Sequence, residues 1–175
     1  PFWRWGQGVR FVDDPEARSP NGVVTRSDDS TAGWANSHEV RWVIPPSAGR
    51  YRATFRVKVD QAEPEAAVQF WGKFSDGELE RTFFDEVRRT TSEFRTPGAF
   101  EEVSFELEYL EEGHISFGAW MDCPGGGNGL SCDTLRFETI ERYDDERRAL
   151  MHPELRAPDG WSIGGAAGLD VLWVH

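Results

Sequence analysis

Residues 50–59 read RYRATFRVKV, and their side chains alternate strictly between two chemical classes. The apolar or aromatic positions are Tyr51, Ala53, Phe55, Val57 and Val59, and a basic or hydroxyl side chain stands at each position between them. Successive side chains of a β-strand point to opposite faces of its sheet, so this alternation predicts a strand with one face in a core and the other in water. The preceding PPSAG at residues 45–49 predicts the turn that leads into it.

The same alternation recurs on both sides of this strand. Residues 102–109 (EVSFELEY) alternate glutamate or serine with an apolar or aromatic residue, and Val40, Trp42 and Ile44 share one parity. Further strands are predicted at residues 9–12, 23–26, 67–74, 79–84, 114–121 and 134–140. Many short strands without helices between them predict an all-β fold, an antiparallel two-sheet β-sandwich.

The parity of the long strands also identifies the residues expected in one shared core. The candidates are Tyr51, Phe55, Val57, Val103, Phe105, Leu107, Ile115, Phe117, Leu135 and Phe137. By the same parity argument, Trp42 is expected to join this core together with Val40 and Ile44.

Length and charge exclude several classes of partner. The chain has 175 residues, the size of one domain, and 31 acidic against 19 basic residues give a net charge of -12. Such a surface repels a phosphate backbone, so no nucleic-acid partner is expected. No apolar run approaches the ~20 residues that span a bilayer, so no membrane partner is expected either. The eight tryptophans exceed what a core of this size needs and direct attention to ligand contact.

The chain divides into a sandwich and a tail. Residues 1–142 are predicted to form the sandwich, and residues 143–175 a short helical or irregular C-terminal extension or linker. Across the boundary between the two, Ile140 to Leu150 is charged enough to form a short helix, and residues 169–174 (LDVLWV) are predicted to start the next domain. We expect the chain, which begins at Pro1, to be a piece of a longer protein.

The two cysteines, Cys123 and Cys132, bracket a glycine-rich loop, and predicted strands flank both ends of it. A disulfide between them would close a short loop and stabilise the fold by roughly 2–3 kcal/mol on the chain-entropy model. It would also imply an oxidising compartment. The alternative is two unrelated free thiols.

No enzyme motif is recognisable. Residues 125–129 are rich in glycine, but no Lys-Ser/Thr pair follows as in a phosphate-binding loop. The nucleophile elbow, the zinc-protease helix motif and the kinase motifs are absent as well. No catalytic residue is therefore assigned.

Charged side chains line the polar faces of two predicted strands. One strand carries Arg50, Arg52, Arg56 and Lys58, and the other carries glutamates at positions 102, 106 and 108. Cross-strand charge pairing is the favoured interpretation. The alternative is a cationic strip that binds an acidic sugar.

Three tryptophans stand beside polar residues and are candidate ligand contacts. Trp71 shares the parity of Gln69, Trp120 shares the parity of Ser116, and Trp34 lies in the polar stretch GWANSH at residues 33–38. The C–H face of a pyranose packs on an aromatic ring while polar neighbours bond its hydroxyls. The alternative for each tryptophan is a partly buried packing role.

At this point the sequence resembles the β-jelly-roll carbohydrate-binding modules of the galactose-binding-like group, of the family-six and family-thirty-five type. Three passages carry the resemblance in order along the chain. They are PPSAGRYRATFRV at residues 45–57, HISFGAW at residues 114–120, and the segment from Gly127-Asn128-Gly129 to Phe137. The likeness covers roughly residues 9 to 140 and implies a jelly-roll topology.

The resemblance implies non-catalytic binding of a polysaccharide or oligosaccharide. Trp120 and Asn128 stand at positions comparable to sugar contacts in that group, with Trp71 and Trp34 as assisting candidates. The group also carries a structural calcium ion, for which Asp133 matches one ligand. The rough substitutes for the remaining ligands are Asp13, Asp14 and Glu16.

Three functions follow as competing hypotheses. The first is a carbohydrate-binding domain of a larger polysaccharide-active protein, secreted or displayed at a bacterial surface beside a catalytic domain. The second is a structural sandwich that packs on that neighbour without a ligand of its own. The third is a small glycan-active enzyme.

Overall fold

A computed structural model of the chain describes residues 3–4, 8–28, 37–75, 80–110, 113–124, 126–144 and 171–174. These residues form β-strands and one short 3₁₀ helix at Thr91–Glu93. The strands are β1 (Trp3–Arg4), β2 (Val9–Asp13), β3 (Val23–Ser27), β4 (His38–Val43), β5 (Gly49–Val59), β6 (Ala67–Ser75), β7 (Glu80–Thr90), β8 (Glu101–Tyr109), β9 (His114–Asp122), β10 (Leu130–Arg142) and β11 (Val171–Val174). Among the described residues, no helix has the length and apolar character needed to cross a membrane.

The strands pair into two sheets, and every pairing between them is antiparallel. The five-stranded sheet has the order β1-β4-β9-β6-β7. The six-stranded sheet has the order β2-β3-β10-β5-β8, with β11 paired to β10. Most neighbours within a sheet are distant in sequence, so the chain crosses repeatedly between the two layers, as in a jelly roll. The predicted antiparallel sandwich is confirmed.

One aromatic-rich core fills the space between the sheets, and it contains the predicted residues. Tyr51 stacks on Phe137 with ring centroids 4.9 Å apart. Phe55 contacts Phe70 edge-on at 5.2 Å, which joins β5 of one sheet to β6 of the other. Two of the ten predicted core residues, Val103 and Phe105, are only partly buried and pack at its margin.

The turn before β5 is fixed by two close contacts. Tyr51 Oη donates a hydrogen bond to the carbonyl oxygen of Ser47 at 2.6 Å. A Cβ at Gly49 would collide with the carbonyl oxygen of Glu141 on β10. Glycine at this position therefore lets β5 and β10 approach each other where β5 begins.

The parity predicted for β4 fails at its end. Val40 and Val43 are both buried, whereas Ile44 is 68% exposed. The register of β4 against β9 shifts between Val40 and Val43, which changes the face of the sheet to which the following side chains point. The predicted core position of Ile44 is therefore wrong, and the side chain of Trp42 lies outside the described ones.

The structure describes residues 143–144 and 171–174 of the predicted tail. β10 runs to Arg142, so the helix expected from Ile140 does not begin there. Strand β11 pairs with β10, with Val171 opposite Glu138, so this segment extends the six-stranded sheet instead of starting another domain. Residues 145–170 lie outside the described residues.

The predicted disulfide is not formed, and both cysteines are free and buried. Cys132 lies inside β10, opposite Val57, in the core. Cys123 Sγ donates to a carboxylate oxygen of Glu63 at 3.3 Å and to the Gly126 carbonyl oxygen at 3.6 Å. Burial raises the pKa of both thiols, which disfavours the thiolate needed for disulfide exchange.

A buried histidine ties the two sheets together. Thr25 Oγ1 donates to the Cys132 carbonyl oxygen at 3.1 Å, so it accepts from His38 Nδ1 at 2.8 Å. His38 Nε2 then accepts from Ser27 Oγ at 3.0 Å. His38 lies on β4 and its two partners on β3 of the other sheet, so this neutral imidazole bridges the layers.

We expect His38 to make the fold sensitive to acid. Burial lowers the pKa of His38 from its ordinary 6.5 to about 3. Its contribution to stability is therefore complete above about pH 6.5 and is lost as the pH falls from there toward 3. Between pH 7 and pH 5 the wild type should lose about 2 kcal/mol more unfolding free energy than His38→Gln, measured by urea denaturation. Equal losses in the two proteins would contradict a neutral buried imidazole.

Candidate functional site

The outer face of the five-stranded sheet carries two of the three candidate tryptophans. On β9, Ile115, Phe117 and Ala119 are buried in the core, whereas Ser116 and Trp120 alternate with them and are half-buried. The parity predicted for this strand is confirmed. Trp120 therefore points away from the core.

Strand β6 adds a second tryptophan to the same face. In the antiparallel pairing of β6 and β9, Gln69 lies opposite Trp120, and Trp71 lies opposite Gly118. Directly opposed residues project from the same side of a sheet. Trp71, Trp120 and Gln69 therefore share one outer face of the sandwich.

Trp71 lies across the neighbouring strand. A Cβ at Gly118 would stand 2.5 Å from Trp71 Nε1, so only glycine leaves room for the indole there. The Lys73 ammonium is 5.9 Å from the centroid of the Trp71 ring, within the range of a cation–π interaction. Trp71 is only 5% exposed, so it forms the buried floor of this face. Trp120 is half-buried and is therefore the more accessible of the two indole rings.

Two buried polar groups accompany the tryptophans. Gln69 is 8% exposed, and its Oε1 has no hydrogen-bond partner among the described residues. Glu39, which lies opposite Gly118 on β4, is 1% exposed. A buried polar oxygen without a partner costs about 1–3 kcal/mol, so the amide oxygen of Gln69 is an unused hydrogen-bond acceptor beneath this face among the described residues.

Asn128, predicted to contact sugar, instead holds two loops together. It is buried, and its Oδ1 accepts from the backbone N–H of Gln61 and of Gly129, each at 3.1 Å. Its Nδ2 donates to the carbonyl oxygen of Gln61 at 2.9 Å. All of these partners are backbone groups, so the structure gives Asn128 a structural role. The third candidate tryptophan, Trp34, lies outside the described residues.

The cationic side chains of β5 are paired with carboxylates, as the favoured interpretation predicted. Arg52 Nη2 lies 2.7 Å from Glu106 Oε1, directly across from it on β8. The other three cations also have partners: Arg50 with Glu141, Arg56 with Asp133, and Lys58 with Asp14. Among the residues that the structure describes, the cations of β5 therefore form no open cationic strip for an acidic sugar.

The acids expected to bind calcium do not fit a metal ion. Asp133 accepts from Arg56 and from two backbone N–H groups, and Asp14 accepts from Lys58. Glu16 lies 4.0 Å from the Lys58 ammonium, and Asp13 is exposed on β2. Among the described residues, no cluster of three or more histidine, cysteine or acidic side chains could hold a metal.

A separate cleft lies where β7 leads into β8. It has a volume of about 430 Å³ and is lined by Arg89, Arg95, Phe100, Glu101 and neighbouring residues. Glu101 already accepts from the Thr96 backbone N–H at 2.9 Å and pairs with Arg89. The cleft contains none of the predicted site residues.

Comparison with solved structures identifies the fold. The chain is similar to the family 16 carbohydrate-binding module-2, with 12% identity, a TM-score of 0.51, and 78% of this chain and 89% of that module covered. It is also similar to 18% of the enzymatically active domain of bacteriophage CBA120 tailspike protein 4, with 75% of this chain covered, 10% identity and a TM-score of 0.52. A third structure is TmCBM61 in complex with β-1,4-galactotriose, with 18% identity, a TM-score of 0.47, and 76% of this chain and 83% of that chain covered.

These similarities establish the fold alone. The chain has the β-sandwich fold of carbohydrate-binding modules, and the resemblance seen in the sequence is confirmed at that level. No protein-family model matches the chain, and no curated protein matches it. Because part of an enzymatically active domain has a similar fold, function has to be argued from the site itself.

We expect Asn128→Ala to lower stability without touching the tryptophan face. The substitution leaves two backbone N–H groups and one carbonyl group of the Gln61 and Gly129 region without their partner. The expected loss is about 2 kcal/mol of unfolding free energy, measured by urea denaturation. A loss below about 0.5 kcal/mol would contradict the structural role, and glycan binding by the folded variant serves as the control.

Proposed function

We propose that the chain is a non-catalytic carbohydrate-binding module that binds glycan on the outer face of its five-stranded sheet. The observation that carries the proposal is the placement of Trp120 beside Gln69, above the buried floor formed by Trp71. An aromatic ring supplies the apolar platform for a pyranose face. The amide oxygen of Gln69, which has no hydrogen-bond partner among the described residues, supplies a directed acceptor for a hydroxyl group.

The fold supports this proposal, since it is the fold of carbohydrate-binding modules. We further propose that the parent protein is secreted and acts on polysaccharide through a neighbouring catalytic domain. In that arrangement the module keeps the catalytic domain at its substrate and performs no chemistry itself. A purely structural sandwich packed on such a neighbour is the alternative, and it is an outcome of the test below.

Binding through one accessible ring and a few polar contacts is expected to be weak. A dissociation constant between micromolar and millimolar corresponds to about -8 to -4 kcal/mol. Because the indole supplies the main apolar contact, Trp120→Ala should weaken binding at least about tenfold and leave the melting temperature nearly unchanged. Affinity gel electrophoresis against soluble polysaccharides, including galactan and xylan, measures the retardation.

Phe11→Ala is the matched control for this experiment. Phe11 is also an exposed aromatic, at 58% exposure, but it lies on β2 of the other sheet. Its removal should leave retardation unchanged. Equal effects of the two variants would contradict a site at Trp120, and absence of binding by the wild type to every glycan would favour the structural sandwich.

Gln69 offers a second prediction in which stability and binding change in opposite directions. Gln69→Met keeps the length of the side chain and removes a buried acceptor that has no described partner. The variant should be as stable as the wild type or up to ~2 kcal/mol more stable, yet bind glycan several-fold more weakly. Isothermal titration calorimetry and urea denaturation give the two quantities. A variant that is less stable and binds normally would show that Gln69 serves the fold.

A further inference from the structure

Two cations of β5 lie among the acids that the sequence assigned to calcium. Arg56 and Lys58 project from the outer face of the six-stranded sheet, two residues apart on one strand. Arg56 pairs with Asp133, whose side chain is fully buried, and Lys58 pairs with Asp14. The positive charge beside Asp133 and Asp14 therefore comes from side chains of the protein itself.

The Asp133 carboxylate is already surrounded by donors. Its Oδ2 accepts from the backbone N–H of Arg18 at 2.8 Å and from Arg56 Nη1. Its Oδ1 accepts from the backbone N–H of Ser19 at 3.1 Å. These N–H groups direct their positive ends at the oxygens, where a metal ion would have to stand.

An aromatic side chain covers the two cations. The ring of Phe100 lies with its centroid 4.1 Å from the guanidinium carbon of Arg56 and 4.4 Å from Lys58 Nζ. The side chains of Arg56 and Lys58 are only 11% and 14% exposed. The pairs are thus shielded from water, which strengthens the attraction within each pair.

We propose that Arg56 and Lys58 together replace a structural divalent cation in this fold. Each carries one positive charge, so the two supply the charge of one calcium ion to Asp133 and Asp14. Through these contacts they fasten the turn at residues 14–19 to β5 and β10, which is the work of a bridging ion. Because both cations are covalently part of the chain, folding stability does not depend on free divalent metal.

The first test uses the wild-type chain. After dialysis against a chelator, elemental analysis should find substoichiometric calcium, and the melting temperature should be the same in chelator and in millimolar calcium. A protein that binds calcium only when folded would melt at a higher temperature in calcium. A rise of several degrees on adding calcium, or stoichiometric calcium in the dialysed protein, would overturn the proposal.

The second test compares two arginines of the same strand face. Arg56→Met removes the charge beside a buried carboxylate, so the melting temperature should fall by on the order of 10 °C. Arg52→Met removes the partner of Glu106 in an exposed pair, and the shift should stay within about 2 °C. Equal shifts in the two variants would overturn the proposal.

A third variant distinguishes the charge of Arg56 from its packing contribution. It also keeps the proposal testable if Arg56→Met alone does not fold. Asp133→Asn placed in the Arg56→Met background removes the carboxylate that has lost its partner. If charge compensation is the role of Arg56, the double variant should melt several degrees above Arg56→Met. A double variant that melts at the temperature of Arg56→Met or below it would show that Arg56 acts by packing, which contradicts the proposal.

Discussion

Strand β5 is the constraint on which the rest of this sandwich depends. It lies between β10 and β8 in the six-stranded sheet. Its alternating sequence places apolar side chains on the core face and polar or charged side chains on the outer face. The inward face delivers Tyr51 and Phe55 to the aromatic core. The outward face delivers Arg56 and Lys58 to carboxylates from β10 and from the turn after β2. A register slip of one residue would exchange the two faces, placing charges in the core and aromatic rings in water.

The two outer faces of the sandwich differ as a result. On the six-stranded sheet, the cations of β5 pair with carboxylates on β8, on β10 and in the turn after β2, as Arg52 does with Glu106. On the five-stranded sheet, the core takes Phe70 and Phe117, and the opposite parity leaves Trp71 and Trp120 outside. The cations of β5 are thus paired on one face, while the other face carries Trp120 and a Gln69 amide oxygen that has no hydrogen-bond partner among the described residues.

The sequence predicted those features that depend on residues adjacent along the chain, such as which face of a strand a side chain lies on. The alternation of residues 50–59 and 114–121 placed their core residues and the outward Trp120 correctly. It failed at Ile44, because the register shift in β4 arises from pairing with β9, a strand about seventy residues away. It could not predict the bonds of Asn128 to the Gln61 backbone, because these two residues are far apart in the sequence. The cation that pairs with Asp133 is Arg56. The sequence could not predict this pair, because the two residues lie on different strands that only the fold brings together.

The sites that hold the layers together are separate from the candidate binding face. The sheets are joined by the core and by the His38 bridge to β3, and the turn after β2 is fastened by the paired cations of β5. None of these contacts involves Trp120 or Gln69. The contacts that join the layers are thus separate from Trp120 and Gln69, and the fold tolerates a buried acceptor that has no partner among the described residues. If glycan binds at this face as proposed, a hydroxyl group that bonds to this oxygen would recover the cost of burying it unpaired.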